Sequence, residues 1–397
     1  MPYRSLLRVT GVGFFPLGFL ARLPYASSAL VTLILLHTST HSYAFAGLGS
    51  AAQSVATAVG GPVVGVLADR HGHRRVGALA ALANIASWAA LLAASQVGRA
   101  AMLVAAGLVG LTQPQVGPLV RVHWARLLHA RNEDTLLPTA LSYEAAADEL
   151  SFVAGPAGVG VLAAAAPRAP AATTMLLLTA ATLPFALRQA GGAPDRPLAG
   201  RPAHRLPRRP LAVLSLAMAA MGTVFGSVQT AVTVYAGAIG EPGAAGLVYA
   251  ELGIGSALAG AACAWLPRRF SLRARYITFA AALFAGMLLL CVGARLVPLP
   301  AVVPVASLTV APYMITLYAL TEHLTPPDRA TTAMTVLCAA GPLGTAAGQA
   351  TAGPLAETHG PGGALLVALA AAAGALLLAA GSGLPLRKGK SGPAAGG

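Results

Sequence analysis

The chain has 397 residues, 56% of them hydrophobic and 10% charged, with a mean hydropathy of +0.71. A soluble domain carries nearer about a quarter charged residues, so a soluble globular protein is excluded and a membrane class is read first. The formal net charge of +14 fits either a nucleic-acid surface or the basic cytoplasmic connections of a membrane protein, and the placement of the charges decides between them.

In chain order, Arg4 and Arg8 precede an apolar run from Gly11 to Leu36. That run is too long for the core of a signal peptide, about 7–15 residues, and reads as an uncleaved first span. A spanning helix needs about 20 apolar residues. Breaks at charged and Pro/Gly-rich stretches predict twelve spans, near 11–36, 44–67, 76–96, 100–120, 138–165, 171–188, 211–238, 244–266, 276–296, 299–321, 330–356 and 362–385. The spans at 138–165 and 330–356 are long and interrupted by Gly and Pro, and are expected to tilt or to break. The connections after the even-numbered spans and both termini carry 22 of the Lys and Arg residues, the opposite connections three (Arg99, Arg168 and Arg295). This asymmetry places both termini in the cytoplasm and accounts for the charge as topology, which removes nucleic acid as a partner. Cys263, Cys291 and Cys338 lie in apolar runs without a CxxC or a neighbouring His, so neither a disulfide framework nor a metal site is expected. No cofactor motif is present, and a P-loop is absent, which argues against ATP-driven transport.

Residues 189–209 are Pro-rich and basic and read as a cytoplasmic linker. The expected organisation is an N-terminal six-helix bundle (1–188), this linker, a C-terminal six-helix bundle (210–386) and a tail (387–397). The halves echo each other: Gly155–Pro156 in the fifth span corresponds to Gly341–Pro342 in the eleventh, and both pairs read as hinge or packing points. Internal duplication of helical bundles is a mark of secondary transporters.

Between the second and third spans stands "GVLADRHGHRR" (65–75). At this place in a 6+linker+6 chain it resembles the signature of the major facilitator superfamily, with His73 where that family usually has Arg. The resemblance covers essentially the whole chain and implies an all-α integral membrane fold of twelve helices in two pseudo-symmetric six-helix bundles. It also implies a conformational latch of Gly65, Asp69, Arg70, Gly72, Arg74 and Arg75, with the Asp69 carboxylate at the N-terminus of the eleventh helix. A carboxylate there is favourable by about 0.3–1 kcal/mol. The Gly-rich run Gly155, Pro156, Gly158, Gly160 partly matches the drug antiporters of the family and favours export. The family's Arg within the fourth span followed by Gln-Gly is missing, since Arg99 lies at the outer start of that span.

Ionisable groups inside spans are functional candidates, because each costs at least about 2.5–3.5 kcal/mol at the membrane centre. Arg22 lies roughly 16 Å into the first span, and Asp148 and Glu149 lie roughly 15 Å into the fifth. The matching depths predict a pair, and Glu144 shares a helix face with Asp148. Arg22, Glu144, Asp148, Glu149 and Glu251 are the candidates for proton coupling, with a static ion pair as the alternative. By the resemblance, spans one, four, seven and ten line the cavity, which would present Arg22, Tyr25, Gln113, Gln229, Tyr235, Tyr313 and Tyr318 to a largely hydrophobic small molecule. His123 and His129 fall in the basic connection after the fourth span and read as solvated.

The sequence thus points to a monomeric, multi-pass secondary transporter of the bacterial plasma membrane that works by alternating access and exports its substrate against protons. An importer or uniporter of a small metabolite such as a sugar is the alternative. A membrane enzyme or sensor ranks lower, as no DDxxD, His–Asp set or soluble output domain is present.

Overall fold

In the computed structural model, sixteen α-helices make up nearly all of the described residues, which are 2–166, 168–188, 207–241, 243–263, 266–267, 270–326 and 329–382. They are α1 (Pro2–Thr10), α2 (Phe14–Leu20), α3 (Leu23–Thr40), α4 (Tyr43–His71), α5 (His73–Ala94), α6 (Arg99–Leu111), α7 (Val116–Ala130), α8 (Leu137–Ala165), α9 (Ala169–Leu177), α10 (Leu183–Arg188), α11 (Arg208–Ala238), α12 (Ala244–Ala262), α13 (Leu272–Gly293), α14 (Leu299–Ser307), α15 (Val310–Leu324) and α16 (Ala330–Gly381). The linker from 189 to 206 and the tail from 387 to 397 lie outside the described residues.

Ten stretches are long and apolar enough to cross a membrane. Two corrections to that count give twelve passes. The helix α8 spans 29 residues but carries three acidic residues, Glu144, Asp148 and Glu149. The 52 residues of α16 would measure about 78 Å as one helix, far more than the roughly 30 Å hydrocarbon core. At Gly360 the backbone leaves the helix, with φ 63° and ψ −156°, and Pro361 follows. Glycine adopts that positive φ at no steric cost, so α16 supplies the eleventh and twelfth passes on either side of it.

Prolines place the internal breaks, in passes other than the two long ones for which the sequence leaves a tilt or a break. The helices α8 and α16 run unbroken through Pro156, Pro342 and Pro354. The first, fourth and tenth passes are the ones that break, between α2 and α3, α6 and α7, and α14 and α15. Each break follows a residue whose carbonyl would need an N–H four positions on, where Pro24, Pro114 or Pro312 stands. The sixth pass instead absorbs a π-helical turn at Leu178–Thr182. The fourth pass also runs well beyond the predicted 100–120, because α7 continues to Ala130. Residues 121–130 are therefore helix and not a loop.

Each half has its own core. One apolar cluster draws all its buried members from 214–379, and two others are built from residues 6–185, with Ala236 and Ala245 joining at the boundary. Leu79, Val104, Leu176, Leu258 and Leu377 are exposed, as a lipid-facing surface requires. The glycines let helices of one half pack closely: an added Cβ at Gly222 of α11 would meet the Gly341 carbonyl of α16 at 2.1 Å, and one at Gly110 would meet the Gln53 carbonyl at 2.0 Å. The halves touch through α4 against α16 and α8 against α12. A Cβ at Gly47 would lie 2.3 Å from the Gln349 carbonyl, and one at Gly246 would lie 2.1 Å from the Pro156 carbonyl. These contacts fall on the side away from the Arg-rich connections. Among the described residues, nothing lies within 4 Å of a Cβ added at Gly65 or Gly72, toward the basic side.

Candidate functional site

The break in the first pass sets up the charge site. Arg22 stands between α2 and α3, and its Nη1 donates to the Gly18 carbonyl at 2.6 Å, closing the end of α2. Its Nε donates to Asp148 Oδ1 at 2.8 Å, and its Nη2 forms an ion pair with Glu144. Both carboxylates come from α8, four residues apart on one face. The fourth pass completes the network: Arg121 Nη2 donates to Asp148 Oδ2 at 2.6 Å, and Trp124 Nε1 donates to Glu144 Oε1 at 2.6 Å. Gly117 makes room for the carboxylate, since a Cβ there would lie 3.3 Å from Asp148 Oδ2.

The two acids stand in different surroundings. The Glu144 side chain is 1% exposed and held by Arg22 and Trp124, whereas that of Asp148 is 27% exposed and bridges two guanidiniums. A buried charge is tolerated only when paired and hydrogen-bonded, and Glu144 meets that condition. Asp148 and its partner Arg121, whose side chain is 39% exposed, are partly exposed. An aromatic packing group of Phe14, Phe15, Trp124 and Phe185 backs the site. His123, expected to be solvated, is buried there and stacks on Phe14 with ring centroids 5.9 Å apart. The cause is the extension of α7, which carries it into the bundle.

The structure thus brings together Arg22, Glu144 and Asp148 from the sequence candidates. The Glu149 side chain lies outside the described residues. Glu251 of α12 is half-buried and belongs to the other half. Among the cavity candidates, Gln113 accepts from Thr57 Oγ1 at 3.0 Å and Gln229 accepts from Gln349 Nε2 at 2.8 Å, so both amides are engaged within the protein. Tyr313 is fully buried and stacks on Tyr276, with ring centroids 6.0 Å apart, inside the C-terminal core. It does not line a cavity, because its helix turns that face toward α13. Tyr25, Tyr235 and Tyr318 are partly exposed, and Tyr25 meets the exposed Phe152 edge to face at 6.5 Å. Of the latch residues, Arg70, Arg74 and Arg75 are exposed, and the Asp69 side chain lies outside the described residues. Gly155 packs α8 on α3, 3.4 Å from Ser27 Cβ for an added Cβ, and Gly341–Pro342 packs α16 on α11 at Gly222 in the corresponding place.

Sequence reasoning misses Arg121, which sorts with the basic connections, and Trp124, which carries no charge signal. It also misses the chain from Ser54 through Gln349 to Gln229, where Ser54 Oγ donates to Gln349 Oε1 at 3.2 Å across the two halves. Among the described residues no group of three His, Cys, Asp or Glu is placed to share a metal ion.

Helices long and apolar enough to cross a membrane, several of them broken, around a buried charge network are the parts of a membrane carrier. The Major Facilitator Superfamily profile matches residues 14–348, and the chain belongs to that family. No curated protein sequence matches it significantly. The fold is that of known transporters. It resembles the nucleoside transporter NupG, with a TM-score of 0.72 at 15% identity over 93% of this chain and 97% of that one. It likewise resembles a bacterial homologue of the iron transporter ferroportin in an inward-facing state, with a TM-score of 0.72 at 16% identity over 95% and 99%. A D-xylose–proton symporter follows, with a TM-score of 0.64 at 15% identity over 92% and 96%. Family and fold support membrane transport, not enzymatic catalysis, as the work of this multi-pass protein.

Proposed function

We propose that the chain is a secondary transporter working by alternating access, which exports a largely hydrophobic small molecule in exchange for protons, with its basic side and both termini in the cytoplasm. The observation that carries this reading is the unequal pair of carboxylates on α8. Glu144 is sealed and fixes the packing of α2, α7 and α8. Asp148 is 27% exposed and shares its two oxygens between Arg22 and Arg121. Protonation of Asp148 releases the guanidiniums, so the packing of the first, fourth and fifth passes responds to proton occupancy. This is the linkage that proton coupling requires. Among the described residues the halves meet on the side away from the basic connections, the contact that alternating access would break and remake. The engaged amides of Gln113 and Gln229 leave partly exposed aromatic rings as the wall offered to a substrate, which favours apolar cargo.

The test uses inverted vesicles with an acidified lumen and a fluorescent pH probe, challenged with a panel of antibiotics, dyes, sugars and metabolites. Alkalinisation of the lumen by one compound, lost in Asp148→Asn, is the expected result. Acidification by a compound marks uptake with protons and overturns the export reading. Silence from folded protein across the panel overturns proton coupling.

A further inference from the structure

We propose that Glu357 is the gating residue of the outer side, a carboxylate of one half that caps the first turn of a helix in the other. The inference rests on the alternating-access reading above. Glu357 sits near the end of the eleventh pass, three residues before the Gly360 turn. Its Oε1 accepts from Ser42 Oγ at 2.5 Å and from the Ala44 N–H at 3.0 Å. Ser42 is the N-cap of α4 and accepts from the Phe45 N–H at 3.1 Å. The carboxylate therefore lies at the positive end of a 29-residue helix and satisfies a backbone N–H that the helix leaves without an internal partner.

The surroundings make this contact a closure. Tyr43, the first residue of α4, places its hydroxyl where a Cβ on Gly237 of α11 would sit, 2.2 Å away. Its ring stacks on His37 of α3 with centroids 3.7 Å apart and planes 8° apart, and its carbonyl lies 2.6 Å from the position of a Gly353 Cβ. Three turns further into the membrane, the bonds from Ser54 to Gln349 and from Gln349 to Gln229 join the same helices. Opening the outer side separates α4 from α16, so the Glu357 cap must break first and the buried amide link after it. The resemblance gives Asp69 the corresponding task on the basic side, with the two helices exchanged: there a carboxylate after the second pass serves the start of the eleventh. A carboxylate and helix end on each side, broken in turn, keep both end states closed on one face only.

The experiment reads distances between spin labels by double electron–electron resonance, in a background with the three cysteines replaced by Ala. One pair, Val97→Cys with Leu296→Cys, spans the outer connections, and the other, His71→Cys with Glu322→Cys, spans the basic side. All four positions are exposed. Glu357→Gln keeps the shape and removes the charge. The expected result is an outer pair whose longer component is about three- to tenfold more populated, with the basic pair gaining a shorter component in the same proportion. Ser42→Gly, which retains an acceptable N-cap, is expected to do the same and covers a failure of Glu357→Gln to fold. A reference variant, Gly246→Leu, forces α8 and α12 apart without touching Glu357. If Gly246→Leu produces the reciprocal change and the monodisperse Glu357 and Ser42 variants do not, the gating role is overturned and alternating access stands. If none of the three produces it, the alternating-access reading falls as well.

Discussion

Neutralising the two acids of α8 one at a time separates structure from coupling. In Glu144→Gln, the Nη2 of Arg22 loses its anionic partner in a site where both side chains are at most 4% exposed. Breaking a buried pair by removing one partner costs about 3–5 kcal/mol, and the surviving bond from Arg22 Nε to Asp148 at 2.8 Å places the loss near about 3 kcal/mol. If the half of about 190 residues melts as a unit, each kcal/mol corresponds to about 2–4 °C, so the melting temperature should fall by about 6–12 °C. In Asp148→Asn, the amide oxygen still accepts one guanidinium and the site is partly solvated. The expected cost is about 1 kcal/mol or less and a fall of at most about 4 °C. The assay is a fluorescence melt in detergent, paired with proton movement in vesicles. Glu144→Gln should melt early yet keep proton-linked transport at low temperature, and Asp148→Asn should melt near wild type and lose it. Equal melting losses with equal retained transport would refute the division of labour.

Three further outcomes follow from the packing. Gly65 faces open space, so Gly65→Val should leave the melting temperature within about 2 °C while abolishing vesicle transport, because the new side chain meets the other half only when the basic side closes. Gly110→Ala drives a methyl onto the Gln53 carbonyl and should cost about 1–3 kcal/mol, whereas Gly158→Ala, which meets nothing within 4 Å, should be neutral in the same melt. Gln349→Leu strands the Gln229 oxygen and should cost about 1–3 kcal/mol. The double variant with Gln229→Leu should recover part of that loss, and a strictly additive cycle contradicts the link.

The spans are legible because a run of about 20 apolar residues has few other uses, and the pairing of Arg22 with the acids of the fifth pass is legible because so few charges lie at that depth. Arg121 is hidden by its neighbours: beside Arg126 and Arg131 it sorts with the basic connection, and only the continuation of α7 to Ala130 carries it to Asp148. Trp124 and Gln349 are hidden because an aromatic or an amide at helical spacing is ordinary packing. Glu357 is hidden by position, since an acid two residues before His359 and Gly360 reads as part of a loop. The breaks show a different competition. Pro156 and Pro342 are tolerated within continuous helices, whereas the passes that contain Pro24, Pro114 and Pro312 break beside them.

The most direct test of the central claim compares exchange with net transport in proteoliposomes, using the compound that the vesicle panel identifies. Exchange of labelled for unlabelled compound needs both conformations but no turnover of protons. Asp148→Asn is predicted to retain exchange and lose accumulation driven by a proton gradient, while the wild type performs both. An Asp148→Asn protein that still accumulates the compound at the wild-type rate would contradict it.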